Sequence, residues 1–167
     1  FRLPGIDMST GSLGMGISVG VGMALAAKLT GKKFRVFVLC GDGEMQEGQN
    51  WEALMSAVKW KLDNLMVIID QNGVQLDGTV EQIMPLGDLV AKLKAFGLYT
   101  VECDGHDVDA LVEAIQNAID YSGPSAIIAK TVKGKGVSYM EGQAAWHGKP
   151  IAEEEYKRAI MELNKYL

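Results

Sequence analysis

Short apolar runs alternate with longer amphipathic stretches along the whole chain. Residues 34–40 are β-branched and aromatic and end at Gly41, whereas 65–69 are apolar without alternation, the pattern of a strand covered on both faces. Leu98 to Glu102 and Ser125 to Lys130 read as two further strands. Helical patterns lie around them at 14–29, 47–61, 85–96 and 107–121, with a last one near 152–165. Val108, Leu111, Val112, Ile115, Ala118 and Ile119 recur at the i, i+3, i+4, i+7 spacing of a helix with one buried face. Asp107 or Asp109 is placed to cap its start, and Ser122-Gly123-Pro124 stops it. Strands alternating with helices predict an α/β fold: a parallel β-sheet with right-handed crossovers and helices on both faces. No repeat or interdomain linker interrupts the pattern, so residues 1–167 read as one domain.

The helix at 14–29 is unusual. Gly14, Gly16, Gly20 and Gly22 sit beside Ala24, Ala26 and Ala27, and each interior glycine costs about 1 kcal/mol of helix propensity. Close approach to another helix, a subunit or a ligand would compensate, as would tight internal packing.

Composition narrows the function classes. With 48% hydrophobic and 22% charged residues the chain has ordinary globular composition, which excludes disorder. A net charge of −5 argues against a nucleic-acid binder, which carries a basic stripe. No apolar run approaches the ~20 residues of a membrane span. Cys40 and Cys103 each end a strand-like run and read as free thiols in a reducing compartment, hence a cytoplasmic location. The chain opens Phe1-Arg2-Leu3-Pro4, with neither an initiator Met nor a signal-peptide pattern, and is expected to lack upstream residues.

In open parallel sheets, ligands bind at the carboxyl ends of the strands. Those ends read Gly41-Asp42-Gly43-Glu44, Gln71-Asn72-Gly73, Asp104-Gly105-His106-Asp107 and, a little beyond the last strand, Lys133-Gly134-Lys135-Gly136. Asp42 and Asn72 are the informative pair, because each directly follows its strand, one crossover apart. If those strands are neighbours, both side chains offer oxygen to one point above the sheet edge. A carboxylate, an amide oxygen and a nearby carbonyl suit Mg²⁺, with ligand phosphates completing its octahedron. Gly41 and Gly43 would let backbone N–H groups reach a diphosphate, and the helix beginning near 47 would add its positive end. Gly41-Asp42-Gly43 alone favours a plain turn over a site; Asn72 at the next strand end reverses that balance.

Gly41-Asp42-Gly43 followed by Asn72 resembles the diphosphate-and-metal motif of thiamine diphosphate enzymes. Gly11-Ser12-Leu13-Gly14-Met15-Gly16, Asp104-Gly105-His106-Asp107 and Trp146-His147-Gly148 narrow the resemblance to the transketolase family. The match runs in order over about 5–150 and is similar to the N-terminal, thiamine diphosphate-binding chain of enzymes split into N- and C-terminal subunits. The resemblance implies that Asp42, Asn72 and the Val74 carbonyl hold Mg²⁺ or Ca²⁺. It implies that Gly41, Gly43, Glu44 and Asn72 meet the diphosphate and that Gly11, Ser12 and Leu13 line the thiamine end. By the same resemblance His147 touches cofactor and substrate, and Glu47 is the interface acid linking two active sites. The implied reaction moves a two-carbon ketol unit from a ketose to an aldose, both sugar phosphates. A C-terminal partner subunit would supply the glutamate that activates the cofactor, in a heterotetramer. Ser12, Met15 and Gln71 depart from the common family residues without changing charge or ligands. His106 reads as a turn-stabilising imidazole, and Trp51 and Trp60 as core.

Other readings stay open on the sequence. They are a deoxyxylulose-phosphate synthase-like or two-oxoacid dehydrogenase activity, and a non-catalytic cofactor-binding module. A dinucleotide-binding domain fits less well, since no Gly-x-Gly-x-x-Gly follows the first strand.

Overall fold

The computed structural model describes residues 4–165; the reading of Phe1-Arg2-Leu3 as a chain start lies outside them. Four parallel strands form the sheet: β1 (Val36–Gly41), β2 (Leu65–Gln71), β5 (Tyr99–Asp104) and β6 (Ser125–Lys130), in the order β1-β2-β6-β5. A two-stranded antiparallel hairpin, β3 (Val74–Gln75) and β4 (Gly78–Thr79), leaves the end of β2. The helices are α1 (Met15–Leu29), α2 (Gly48–Lys59), α3 (Val80–Ile83), α4 (Leu89–Ala95), α5 (Val108–Asp120) and α6 (Glu153–Leu163). The α/β sheet with helices on both faces is as the sequence predicts.

The boundaries move for local reasons. Residues 34–35 precede the ladder, whose first bond runs from Val36 N–H to the Asn64 carbonyl. The helix expected from 85 starts only at Leu89, because Asp88 caps it by accepting the Ala91 N–H at 2.8 Å. Of the two candidate caps for α5, Asp107 serves, accepting from Asp109 and Ala110. The hairpin and α3 have no counterpart in the sequence reading.

One face of the sheet packs α1, α2 and α4 over Val36, Val38, Cys40, Leu65, Val67, Ile69, Ala126 and Ile128. Here the glycines of α1 find their reason: a Cβ on Gly20 would lie 2.4 Å from Val38, so the helix backbone sits directly on β1. Internal packing therefore accounts for Gly20, whereas Gly22 faces open space. The other face carries α5, whose Ala114 and Ala118 meet Met66 and Ile127. That cover is incomplete: Phe37 and Leu39 of β1 are 50% and 71% exposed. Val108 and Val112, read from the sequence as buried, are exposed as well, and so is Trp60. Trp51 does join the core, donating its indole N–H to the Met45 carbonyl. Cys40 is buried and Cys103 half-buried, both as free thiols. No described helix is long and apolar enough to cross a membrane.

Candidate functional site

β1 and β2 are adjacent, and Gly41 pairs in register with Asp70. The two chain exits therefore leave the sheet side by side. Asp42 turns directly out of β1, its N–H bonded to the Asp70 carbonyl, and enters a short 3-10 segment, Gly43–Gln46. Its side chain is almost fully buried. One carboxylate oxygen accepts the Gly43 N–H at 2.8 Å, and the other accepts the Gly73 N–H at 2.7 Å from the end of β2. Asn72 makes its own turn, with Oδ1 accepting the Val74 N–H at 3.0 Å. Gly73 has φ +73°, a conformation that favours glycine, and this lets its N–H face Asp42.

Burial raises the Asp42 carboxyl above its ordinary value, and the like charge of Asp70 adds to the rise, although the two backbone N–H groups oppose it. Among the described residues, no cationic side chain pairs with this buried carboxylate. Such an acid is under-compensated, and a divalent cation bound beside it would supply the missing charge. Among the described residues no three His, Cys, Asp or Glu side chains cluster so as to hold a metal ion. The side-chain oxygens of Asp42 and Asn72 are hard donors, the type that suits such a cation.

The remaining predicted residues fall into three places. Gly41 leaves open space above its backbone, and Gly43 lies against Gln75, whose Cβ would be 3.2 Å from a Cβ on the glycine. Glu44 is drawn sideways: its carboxylate accepts the Gly14 N–H at 2.9 Å, tying the Gly11-Ser12-Leu13 loop to the exit of β1. Glu47 precedes α2, exposed, with its Cβ against Gly14. Gly11, Ser12 and Leu13 are exposed on that loop. His147 stands apart. It follows a single 3-10 turn, Ala144–Trp146, beyond β6, and its exposed ring makes no hydrogen bond among the described residues. The structure thus joins Asp42, Asn72, Gly43, Glu44 and Glu47 around one strand exit and leaves His147 on a separate segment.

Three supporting residues escape the sequence reading. Asn50 is fully buried at the start of α2 and donates to the Glu44 carbonyl at 2.7 Å. Gln46 donates to Gln75 at 2.7 Å and to the Met84 carbonyl, linking the 3-10 segment to the hairpin. A polar residue leading the apolar positions 53, 54 and 57 is the signal that marks Asn50; Gln46 and Gln75 carry none.

Residues 1–164 match the transketolase thiamine diphosphate binding domain. The chain belongs to the transketolase family. It is 42% identical over 162 residues to an apulose-4-phosphate transketolase subunit of Actinobacillus succinogenes, covering 97% of this chain and 59% of that protein. It is 45% identical to a 6-deoxy-6-sulfo-D-fructose transketolase subunit of a Clostridium species, covering 98% and 60%. The chain thus spans about three-fifths of the length of these relatives. Among solved structures, the transketolase of Campylobacter jejuni superposes with a TM-score of 0.89 at 34% identity, over 96% of this chain and 26% of that one. The transketolase of Leishmania mexicana superposes at 0.84 with 31% identity.

Proposed function

We propose that this transketolase-family domain is the cofactor-anchoring part of an N-terminal subunit in a split transketolase, competent only with a C-terminal partner chain. The observation that carries the reading is the buried, under-compensated Asp42 carboxylate bonded to Gly73 beside Asn72. That arrangement suits a divalent cation bridging to a diphosphate. Asp42, Asn72 and the Val74 carbonyl would hold Mg²⁺, or Ca²⁺ in its place. Gly41 leaves its backbone open toward the diphosphate, Gly43 would meet it beside Gln75, and Glu44 braces the Gly11-Ser12-Leu13 loop against the same exit. When bound, thiamine diphosphate supplies the nucleophilic carbon through which a two-carbon ketol unit passes from a ketose to an aldose.

This chain's own residues then have defined tasks. The Asp42–Asn72 exit would hold the cofactor's charged end and so orient it for reaction. His147, on its exposed segment, would hold or move a proton at the sugar oxygen where charge develops. Glu47, exposed beside Gly14 at the start of α2, faces outward, as an acid shared with a second active site would have to. The partner chain would complete the site, in a heterotetramer. Two relatives named as transketolase subunits, acting by name on apulose 4-phosphate and on a sulfo-sugar, support sugars with an anionic end as substrates.

Product analysis tests this. The full-length protein and its partner chain, given thiamine diphosphate, Mg²⁺, a ketose phosphate and an aldose phosphate, should yield an aldose shortened by two carbons and a ketose lengthened by two. Pyruvate-dependent condensation with release of carbon dioxide would instead indicate the deoxyxylulose-phosphate type of reaction. Cofactor binding without turnover of any sugar would indicate a non-catalytic module.

A further inference from the structure

The motif Asp104-Gly105-His106-Asp107 lies away from the Asp42–Asn72 exit, and each of its residues is used. It ends β5, the edge strand farthest from Asp42. Three strand spacings separate β5 from β1, roughly 14 Å. Asp104 accepts the His106 N–H at 2.8 Å, and Asp107 caps α5. Gly105 donates its N–H to the Lys130 carbonyl at 2.8 Å, and a Cβ there would lie 2.5 Å from the Thr131 methyl. The turn is thereby pressed against the point where the chain leaves β6.

At that point the His106 ring reaches across. Its Nε2 accepts the backbone N–H of Val132 at 2.8 Å. Only an unprotonated ring nitrogen can accept from an N–H, so the ring carries its proton on Nδ1. From the opposite side, β2 grips the preceding residue: Thr131 donates its N–H to the Gln71 carbonyl and its hydroxyl to Asp70. The exit of β6 is therefore clamped between the strand that leads into Asn72 and the motif at the end of β5.

Beyond the clamp, the chain folds back on itself up to His147. Lys135 donates to the Val132 carbonyl, Gly142 to Lys133, and His147 to Ala144, while the Trp146 indole donates to the Tyr139 carbonyl at 3.0 Å. A segment so tied internally keeps its shape, and its placement relative to the sheet depends on where it is anchored. We propose that His106 is a positioning residue: through Val132 it sets the 131–147 segment, and with it His147, relative to the end of β6. The inference rests on the functional reading only for the use to which His147 is put.

The test uses the full-length protein with its partner chain and three variants. Glutamine can place Oε1 near the position of the imidazole Nε2; the shorter asparagine stops at the level of Nδ1, and alanine offers no acceptor. Nitrogen-15 spectra of the parent should show His106 protonated at Nδ1 and bare at Nε2. Amide exchange at Val132 and His147 should quicken roughly tenfold in His106→Ala and His106→Asn, the scale of one lost hydrogen bond, and return toward the parent in His106→Gln. Ketol transfer should follow the same order in kcat, with thiamine diphosphate affinity unchanged. A proton on Nε2, unchanged exchange in His106→Ala, or His106→Gln behaving like His106→Ala would each overturn the proposal. If the parent transfers no ketol unit, the functional reading fails, while the spectra and exchange still decide the clamp.

Discussion

Asp42 and Gly73, 31 residues apart in sequence, meet at 2.7 Å because β1 and β2 end side by side. The carboxylate accepts a backbone N–H from each of the two strand exits, so it couples the exits as well as offering oxygen to a cation. Replacing Asp42 with Ala should weaken Mg²⁺-dependent thiamine diphosphate binding at least 100-fold, the upper end of what losing even an outer partner of a metal costs, roughly. The change should also lower stability by about 1–3 kcal/mol, through the Gly43 and Gly73 N–H groups left without their acceptor. Titration calorimetry and urea unfolding read the two effects separately.

Asp42 also makes the cofactor-free protein pH-sensitive in a definite direction. Because burial raises its folded value above the ordinary one, the folded state holds this proton more tightly than the unfolded chain does. The contribution to stability is thus fully present below the ordinary carboxylate value and is lost as pH rises through the raised one. Asp42→Asn cannot ionise. It should gain stability relative to the parent as pH rises above the ordinary carboxylate range. Urea midpoints across that rise check this, and a difference flat with pH contradicts it. Mg²⁺ affinity should move the opposite way and increase with pH, since the cation needs the ionised form.

The glycines of α1 separate by what faces them. Gly20→Ala drives a methyl group into Val38 and should cost about 1–3 kcal/mol. Gly22→Ala meets nothing within 4 Å and should stabilise by about 0.5–1 kcal/mol through helix propensity. Opposite signs for two glycines two residues apart are the expected result in thermal or urea unfolding.

That contrast shows where the sequence stops being readable. Helix periodicity locates α1 and α5, yet it reports which residues are apolar and leaves open what covers them. Val108 and Val112 belong to the same apolar stripe as Ile115, but α5 leaves them exposed and meets the sheet through Ala114 and Ala118. The paired exits at Asp42 and Asn72 were legible because adjacent parallel strands put their carboxyl ends together. The β3–β4 hairpin was not, since its strands have two residues each and form only through the Gly73 turn and the capping box of Thr79 and Gln82. Asn50 was hidden for another reason: a buried amide at the head of a helix looks like a solvated one until its partner, the Glu44 carbonyl, is in place.

The open part of the sheet gives a prediction of its own. Phe37 and Leu39 leave apolar surface bare on β1, which is also an edge strand. The 167-residue chain should bind a hydrophobic dye and self-associate at high concentration. Phe37→Lys with Leu39→Lys should suppress both and change stability by only a few tenths of a kcal/mol, roughly, as for exposed substitutions generally. Sedimentation and dye fluorescence are the measurements, and an unaltered dye signal would show that the apolar face is not the surface concerned.

The most direct measurement is calorimetric titration of thiamine diphosphate into the full-length protein, with and without Mg²⁺, comparing the parent with Asp42→Ala and Asn72→Ala. Binding that requires the cation and is lost in both variants is the predicted result, with tighter binding once the C-terminal partner chain is present. Binding that is indifferent to Mg²⁺, or retained in both variants, would place the cofactor elsewhere and contradict the assignment of the paired strand exits as its anchor.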